Sequence, residues 1–240
     1  MKWLLLLLGS LKLGKLLTTG GTMLLSVVAY AFIFGWMYAV GFVLLIFVHE
    51  MGHYLAARQR GLDVGAPTFI PFVGAWIELK DMPHDVETEA YVAMAGPLVG
   101  TLGALACYFA ARHYDSNLLL ALAYAGFFLN LFNLIPLSPF DGGRITAIIS
   151  PRVWLLGVPI LVALFFYRPS PMLLLVALLA APQVWKAIRY DPNDPEHAVY
   201  YATKLETRLM YGVFYLALAG YLAVMTYDVH EMLSAVRRAG

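Results

Sequence analysis

Long apolar runs separated by short polar or Gly/Pro breaks dominate this chain. The runs cover residues 22–36, 38–58, 91–111, 118–136, 153–167, 170–187 and 209–227. They lack amphipathic spacing, so each reads as a helix surrounded by apolar material. A helix needs about 20 apolar residues to cross a bilayer, fewer where neighbours help, so six or seven spans are expected, with 22–36 and 153–167 as partial candidates. Gly35 breaks the first pair, and Arg168-Pro169-Ser170-Pro171 forms a turn between the fifth and sixth. Gly96, Gly100 and Gly103 give the third run a small-residue face suited to close helix packing. Between the second and third runs, Pro67, Pro71 and Gly74 interrupt an apolar stretch, which reads as a membrane-associated loop or small β-hairpin over 66–79. The expected fold is an all-α polytopic membrane protein carrying that one irregular insertion. Its parts are an N-terminal segment (1–21), a transmembrane core (22–150), and C-terminal transmembrane helices with a tail (151–240).

Composition sharpens this picture. Of 240 residues, 61% are hydrophobic and 13% charged, against about 45–50% and 25% in soluble domains. A soluble globular domain, a disordered chain and a nucleic-acid binder are excluded. The net charge of +1 selects no acidic partner. The single cysteine, Cys107, cannot form an intrachain disulfide. Residues 1–20 combine Leu4 to Leu8 with Lys12 and Lys15 where a cleavage site would fall, so they read as a basic amphipathic segment at the membrane surface. With the N-terminus in the cytoplasm and seven spans, all of the 16 Lys and Arg except Arg112, Arg168, Arg237 and Arg238 fall on the cytoplasmic side, as the positive-inside rule favours.

Ionisable residues inside spans are expensive and mark function. The second run contains His49-Glu50-Met51-Gly52-His53. One helical turn separates the two histidines, so both imidazoles share a face and can share a metal. Glu50 is rotated about 100° from His49, beside that metal rather than in line with it, in the arrangement of a His-Glu-x-x-His zinc site whose Glu is the general base. A catalytic zinc takes three protein ligands and keeps one open position. The candidate third ligand is Asp141 in Asn133-Leu134-Ile135-Pro136-Leu137-Ser138-Pro139-Phe140-Asp141-Gly142-Gly143. Pro136 and Pro139 end the fourth run, and the glycines let the backbone turn sharply. The alternative is that Asp141 merely caps a helix over 142–149. In the chosen topology, His53 and Asp141 both fall at the cytoplasmic ends of their spans, which favours ligation.

Taken together, His49-Glu50-x-x-His53 and Asn133-x-x-Pro136-x-x-Pro139-x-Asp141-Gly142 resemble the site-2 protease family of intramembrane zinc metalloproteases. Further likenesses are Phe69 to Ile77 after the second span and Ala95-Gly96-Pro97 in the third. The resemblance covers roughly residues 20–150, without the PDZ insertion or the cystathionine-synthase-like regulatory domain found in some members, so a minimal member is expected. It implies one zinc ion per chain on His49, His53 and Asp141, with Glu50 activating water. It also implies Asn133 as oxyanion donor, with Asn130 as second choice, and an interhelical hydrogen bond as the alternative for either. The implied substrates are transmembrane or membrane-anchored proteins that unwind locally. Residues 66–79, with Phe72, Gly74, Ala75 and Trp76, are the candidate surface for pairing with the extended substrate; a loop that only plugs between helices is the alternative.

His84, His113, His197 and His230 read as solvated, and Asp85, Glu87 and Glu89 suit the start of the third helix. Asp191-Pro192-Asn193-Asp194-Pro195 reads as a turn, followed by a surface helix over 196–208. The expected partners are membrane-protein substrates and the bilayer, and no nucleic acid; oligomeric state is unreadable. The expected location is a prokaryotic plasma membrane, with the site toward the cytoplasm. Competing readings are a membrane metal transporter and a catalytically inactive scaffold. Transport would want polar ligands along a path through several spans, whereas the charged groups cluster here at one depth.

Overall fold

A computed structural model describes residues 2–72, 74–77, 81 and 83–239. Helix α1 (Lys2–Phe34) runs without interruption and stops at Gly35, whose φ of 82° no L side chain adopts readily. Helix α2 (Trp36–Gln59) follows directly. The chain then forms the hairpin of β1 (Thr68–Ile70) and β2 (Gly74–Trp76), antiparallel with Phe69 opposite Ala75. Asp85 starts α3 (Val86–Tyr114) by accepting the Thr88 N–H at 2.7 Å, and Glu87 and Glu89 occupy its first turn. Asp115, in the left-handed region, ends that helix, and Ser116 caps α4 (Asn117–Asn133).

After α4, the Pro136 and Pro139 segment interrupts the helix and leads into the short α5 (Asp141–Thr146). A 3-10 turn (Pro151–Leu156) leads into α6 (Gly157–Tyr167), then α7 (Pro171–Ile188), α8 (Pro195–Tyr200) and α9 (Leu205–Ala239). The surface helix expected over 196–208 is corrected here. It ends at Tyr200, and α9 begins at Leu205, ahead of the expected 209. Likewise, the helix considered over 142–149 is the shorter α5.

Among the described residues, α2, α3, α7 and α9 (as Leu205–Arg238) are long and apolar enough to cross a membrane. Thr18–Phe34, Asn117–Asn133 and Pro151–Tyr167 are shorter apolar helices. Large apolar side chains such as Phe32, Leu102, Phe166, Leu178 and Phe214 are mostly exposed on the outer surface. No solvent-facing polar stripe covers these helices, so the outer surface suits lipid. The protein is an integral membrane protein, mostly helical, with a small two-stranded sheet.

Helices α2, α3 and α4 form the centre, and α9 closes against α4 and α5. The small-residue face of α3 sets how near α2 and α4 come. A methyl group on Gly96 would overlap the His53 imidazole, and one on Gly100 would overlap the Asn130 carboxamide. At Gly52 on α2, a methyl would strike the Ala95 carbonyl. In lipid, such close approach is itself a source of association, because van der Waals contact replaces the absent hydrophobic drive.

Candidate metal centre

Helix α2 carries His49 and His53 one turn apart, and both are buried, with 3% and 8% of their surface exposed. Each ring is held from behind. Asn130 on α4 donates its Nδ2 to the Gly126 carbonyl at 2.7 Å, so its Oδ1 faces His49 and accepts from Nδ1 at 2.8 Å. His53 Nδ1 donates to the Val92 carbonyl at 2.8 Å. With both Nδ1 atoms protonated in the neutral rings, both Nε2 atoms carry lone pairs.

Those two Nε2 atoms lie 3.1 Å apart. Asp141 brings Oδ2 to 3.1 Å from His49 Nε2 and Oδ1 to 3.2 Å from His53 Nε2. Four acceptor atoms therefore converge in a buried place with no proton left to share between them. Such a cluster is repulsive unless a cation sits among it. The residues fit zinc: two imidazole nitrogens and one carboxylate, with candidate ligand atoms all within 4.8 Å of one another. The alternative role of Asp141, as a helix cap, is not what is found. Phe140 precedes α5 as its cap, and the Asp141 carboxylate is turned to the histidines.

Asp141 opens α5 directly after the irregular 134–140 segment, whose backbone polar groups need internal partners. Trp154 Nε1 donates to the Gly143 carbonyl at 2.7 Å, and the Tyr215 hydroxyl donates to the Leu134 carbonyl at 2.5 Å. The Ser138 N–H donates to Gln183 Oε1. A side chain at Gly142 would run into the Leu134 and Ile135 carbonyls, so the turn closes only around glycine. These three supporting side chains, on the 3-10 turn, α7 and α9, went unnoticed in the sequence, as did the roles of Asn130 and Val92 behind the histidines.

Glu50 lies beside the ligands, 7% exposed, and no described residue hydrogen-bonds its carboxylate. It lines a cavity of about 520 Å³ together with the three ligand residues, Asn133, Gly74 and Ala75. Asn133 donates one N–H to the Leu129 carbonyl at 3.1 Å and retains the other.

The hairpin leans on α1. Thr22 Oγ1 accepts the Phe69 N–H at 3.3 Å, and the Tyr30 hydroxyl accepts the Phe72 N–H at 3.1 Å. The Phe69 N–H thus points away from β2. In an antiparallel pair, the opposite residue then also directs its backbone groups outward, so Ala75 presents its N–H and C=O at the outer edge of β2. Phe72 and Gly74 have φ values of 63° and 126° around the turn. The Trp76 backbone pairs with Thr68, and its side chain lies outside the described residues, as does Val73.

Arg144, one turn beyond Asp141, also lines the cavity and places Nε 3.4 Å from Glu89 Oε1. The Tyr200 hydroxyl donates to Glu89 Oε2 at 2.5 Å, joining α8 to this corner. Burial first, then the neighbouring Glu89 carboxylate, hold Tyr200 protonated far above the usual tyrosine range. The same two causes push Tyr201 up to about 12.

Fold and donor set define a class, that of helical membrane proteins with a buried metallohydrolase-type centre. Residues 37–116 match the model of Peptidase family M50, and this segment contains His49, Glu50 and His53. A zinc metalloprotease of Methanocaldococcus jannaschii is 33% identical over 124 residues, which is 48% of this chain and 36% of that protein. Rip3 of Mycobacterium tuberculosis is 32% identical over 115 residues, covering 45% of this chain and 29% of Rip3. Among solved structures, the site-2 protease from Methanocaldococcus jannaschii overlays with a TM-score of 0.47 and 21% identity, covering 76% of this chain and 87% of that one. The resemblance to the site-2 protease family drawn from the two motifs is borne out by the family match and the curated relatives. The chain spans about a third of the length of those relatives.

Proposed function

We propose that this chain is an intramembrane zinc metalloendopeptidase that hydrolyses peptide bonds within or beside the transmembrane segments of membrane-protein substrates. One observation carries the reading. Two imidazole lone pairs and the Asp141 carboxylate converge beside Glu50, an acid that ligates nothing, in a cavity open to a strand edge. Zinc held by His49, His53 and Asp141 supplies Lewis acidity to a carbonyl and to water. The protein's own groups do the rest. Glu50 takes the proton of the attacking water on a carboxylate oxygen and passes it to the amine nitrogen as the C–N bond breaks. Asn133 directs its remaining N–H at the developing oxyanion.

A helical peptide bond has both polar groups engaged, so the substrate unwinds at the scissile bond. Ala75 then offers its N–H and C=O to the extended stretch, and Phe72, Gly74 and Trp76 complete that edge. Residues 22–150 form the catalytic body, and 151–240 brace it through Trp154, Gln183 and Tyr215. The shorter apolar helices complete six or seven spans with the four long ones. The Lys and Arg distribution supports a site facing the cytoplasm across a prokaryotic plasma membrane.

The test is zinc content by elemental analysis together with cleavage of a membrane-anchored reporter, on detergent-purified protein. Wild type should hold one zinc, His49→Ala none, and Glu50→Gln should keep zinc but lose cleavage. A folded wild type that takes up no zinc, or a Glu50→Gln variant that cleaves at the wild-type rate, rejects the reading.

A further inference from the structure

Apart from the catalytic groups and the tyrosines Tyr38 and Tyr124, the side chains lining the cavity are apolar except at one place. Arg144 is the one Lys or Arg among the described residues lining it. A guanidinium has five N–H donors in a fixed fork. In Arg144 only Nε is engaged, at 3.4 Å from Glu89 Oε1. The forked pairing that would use the terminal nitrogens does not form, and the other Glu89 oxygen accepts from the Tyr200 hydroxyl at 2.5 Å. Among the described residues, nothing hydrogen-bonds the Arg144 Nη atoms. Glu89 thus holds the guanidinium at Nε, and the Nη donors of this cavity-lining residue have no protein partner among the described residues. The side chain is largely buried, with 29% of its surface exposed, so water only partly satisfies those donors. Planar N–H pairs of this kind match a carboxylate.

We propose that Arg144 forms an anion subsite that recognises an acidic side chain of the substrate close to the scissile bond. The inference rests on the protease reading above and adds a substrate preference to it. Arg144 follows Asp141 by three residues on α5, which separates their Cβ atoms by about 5–6 Å. An extended chain rises about 3.3 Å per residue, so the acidic residue falls about two residues from the cleaved bond. The preferred substrate is thus an apolar segment bearing one Asp or Glu, in place of a uniformly apolar one. Walls such as Phe42, Ile46, Phe128, Leu129 and Phe132 take the apolar neighbours.

The competing occupant of those donors is a backbone carbonyl of the substrate, which every sequence supplies and which gives no charge preference. A positional scan separates the two. A quenched-fluorescent apolar peptide carries a single Asp moved along its length, each version is matched by its Asn isostere, and both are cleaved by the full chain in detergent with zinc. At one position the Asp peptide should be cleaved with kcat/KM about ten- to a hundredfold above its Asn partner. Arg144→Gln should bring that ratio to one, and Arg144→Glu should shift the preference to Lys at the same position. Equal cleavage of Asp and Asn peptides at every position by the wild type overturns the subsite and leaves the protease reading intact, whether or not the variants fold. An unchanged Asp preference in zinc-loaded Arg144→Gln also overturns it. No cleavage of any peptide by zinc-loaded wild type defeats the protease reading itself, and the subsite with it.

Discussion

Replacing Asn130 with Leu should weaken zinc binding while leaving the helical fold in place. Asn130 is 2% exposed and its Oδ1 accepts from His49 Nδ1 at 2.8 Å. Leu keeps much of the volume and removes the acceptor. With zinc bound, His49 must present Nε2 to the metal, so its Nδ1–H points at a position that no longer offers a partner. An unsatisfied buried donor costs about 1–3 kcal/mol. At 1.4 kcal/mol per factor of ten, that is about a five- to hundredfold loss of zinc affinity, in line with the effect of removing partners behind metal-bound histidines. Without zinc the ring can rotate, so the cost falls on binding and not on folding. The assay is competition for zinc against a fluorescent chelator, with helix content from circular dichroism as the control. Asn130→Asp retains the acceptor and should recover most of the affinity. Gly100→Ala should mimic Asn130→Leu from the opposite side, because its methyl group overlaps the carboxamide. Wild-type affinity in Asn130→Leu would refute the assignment of His49's orientation to this bond.

Three further outcomes follow from neighbouring contacts. Gly96→Ala puts a methyl group into the His53 imidazole, whose Nδ1 is tied to Val92; zinc stoichiometry should fall well below one per chain with helix content unchanged, and full loading would show that the ring has room to yield. Tyr215→Phe deletes the hydroxyl donated to the Leu134 carbonyl at 2.5 Å, worth about 1 kcal/mol, so the Tm of the zinc-loaded protein should drop by about 2–4 °C in a thermal-shift assay. An unchanged Tm would remove Tyr215 from the support of the Asp141 segment. The docking of the segment ending α8 should be fully present below pH 10 and lost as pH rises through about 12, since Tyr201, which directly follows α8, has a pKa raised from 10.0 to about 12 in the folded protein; limited proteolysis at residues 195–201 should accelerate across that window, and cleavage that speeds up already below pH 10 would contradict it.

The parts of this protein that were legible in its sequence are those set by local spacing. His49 and His53 lie four apart, so any helix through them aligns the imidazoles, and Pro136 with Pro139 stops α4 whatever surrounds it. The hairpin was legible in the same way, from Pro67, Pro71 and Gly74 within a run too irregular for a span. What stayed hidden depends on how helices are turned toward one another. Helices α4 and α7 and the middle of α9 are apolar on nearly every side, so their sequence contains no periodic stripe that says which face turns inward. The inward aim of Gln183 and Tyr215 therefore could not be read, and Asn130 was recognisable as a polar residue in a span without its partner being identifiable. The surface helix failed for a related reason. Residues 201–204 carry no strong breaker, and only the placement of Tyr200 on Glu89 and of Arg208 on the Ile149 and Tyr201 carbonyls fixes the bend there.

The glycines connect these two levels. A metal centre made from α2 and α5 needs its histidines oriented to within a fraction of an ångström, yet lipid provides no hydrophobic force to press helices together. Here the approach is set by absence of side chains. Gly52 receives the Ala95 carbonyl, Gly96 receives the His53 ring, and Gly100 receives the Asn130 carboxamide. Helix α3 can thus lie near enough for the Val92 carbonyl to hold His53 directly, without an intervening side chain. The same closeness sets Gly100 against the Asn130 carboxamide, whose Oδ1 accepts from His49 Nδ1 and so leaves Nε2 to the metal. On this argument the α3 glycines belong to the metal site as much as to the packing. Substitutions there should act on zinc affinity before they act on whether the protein folds.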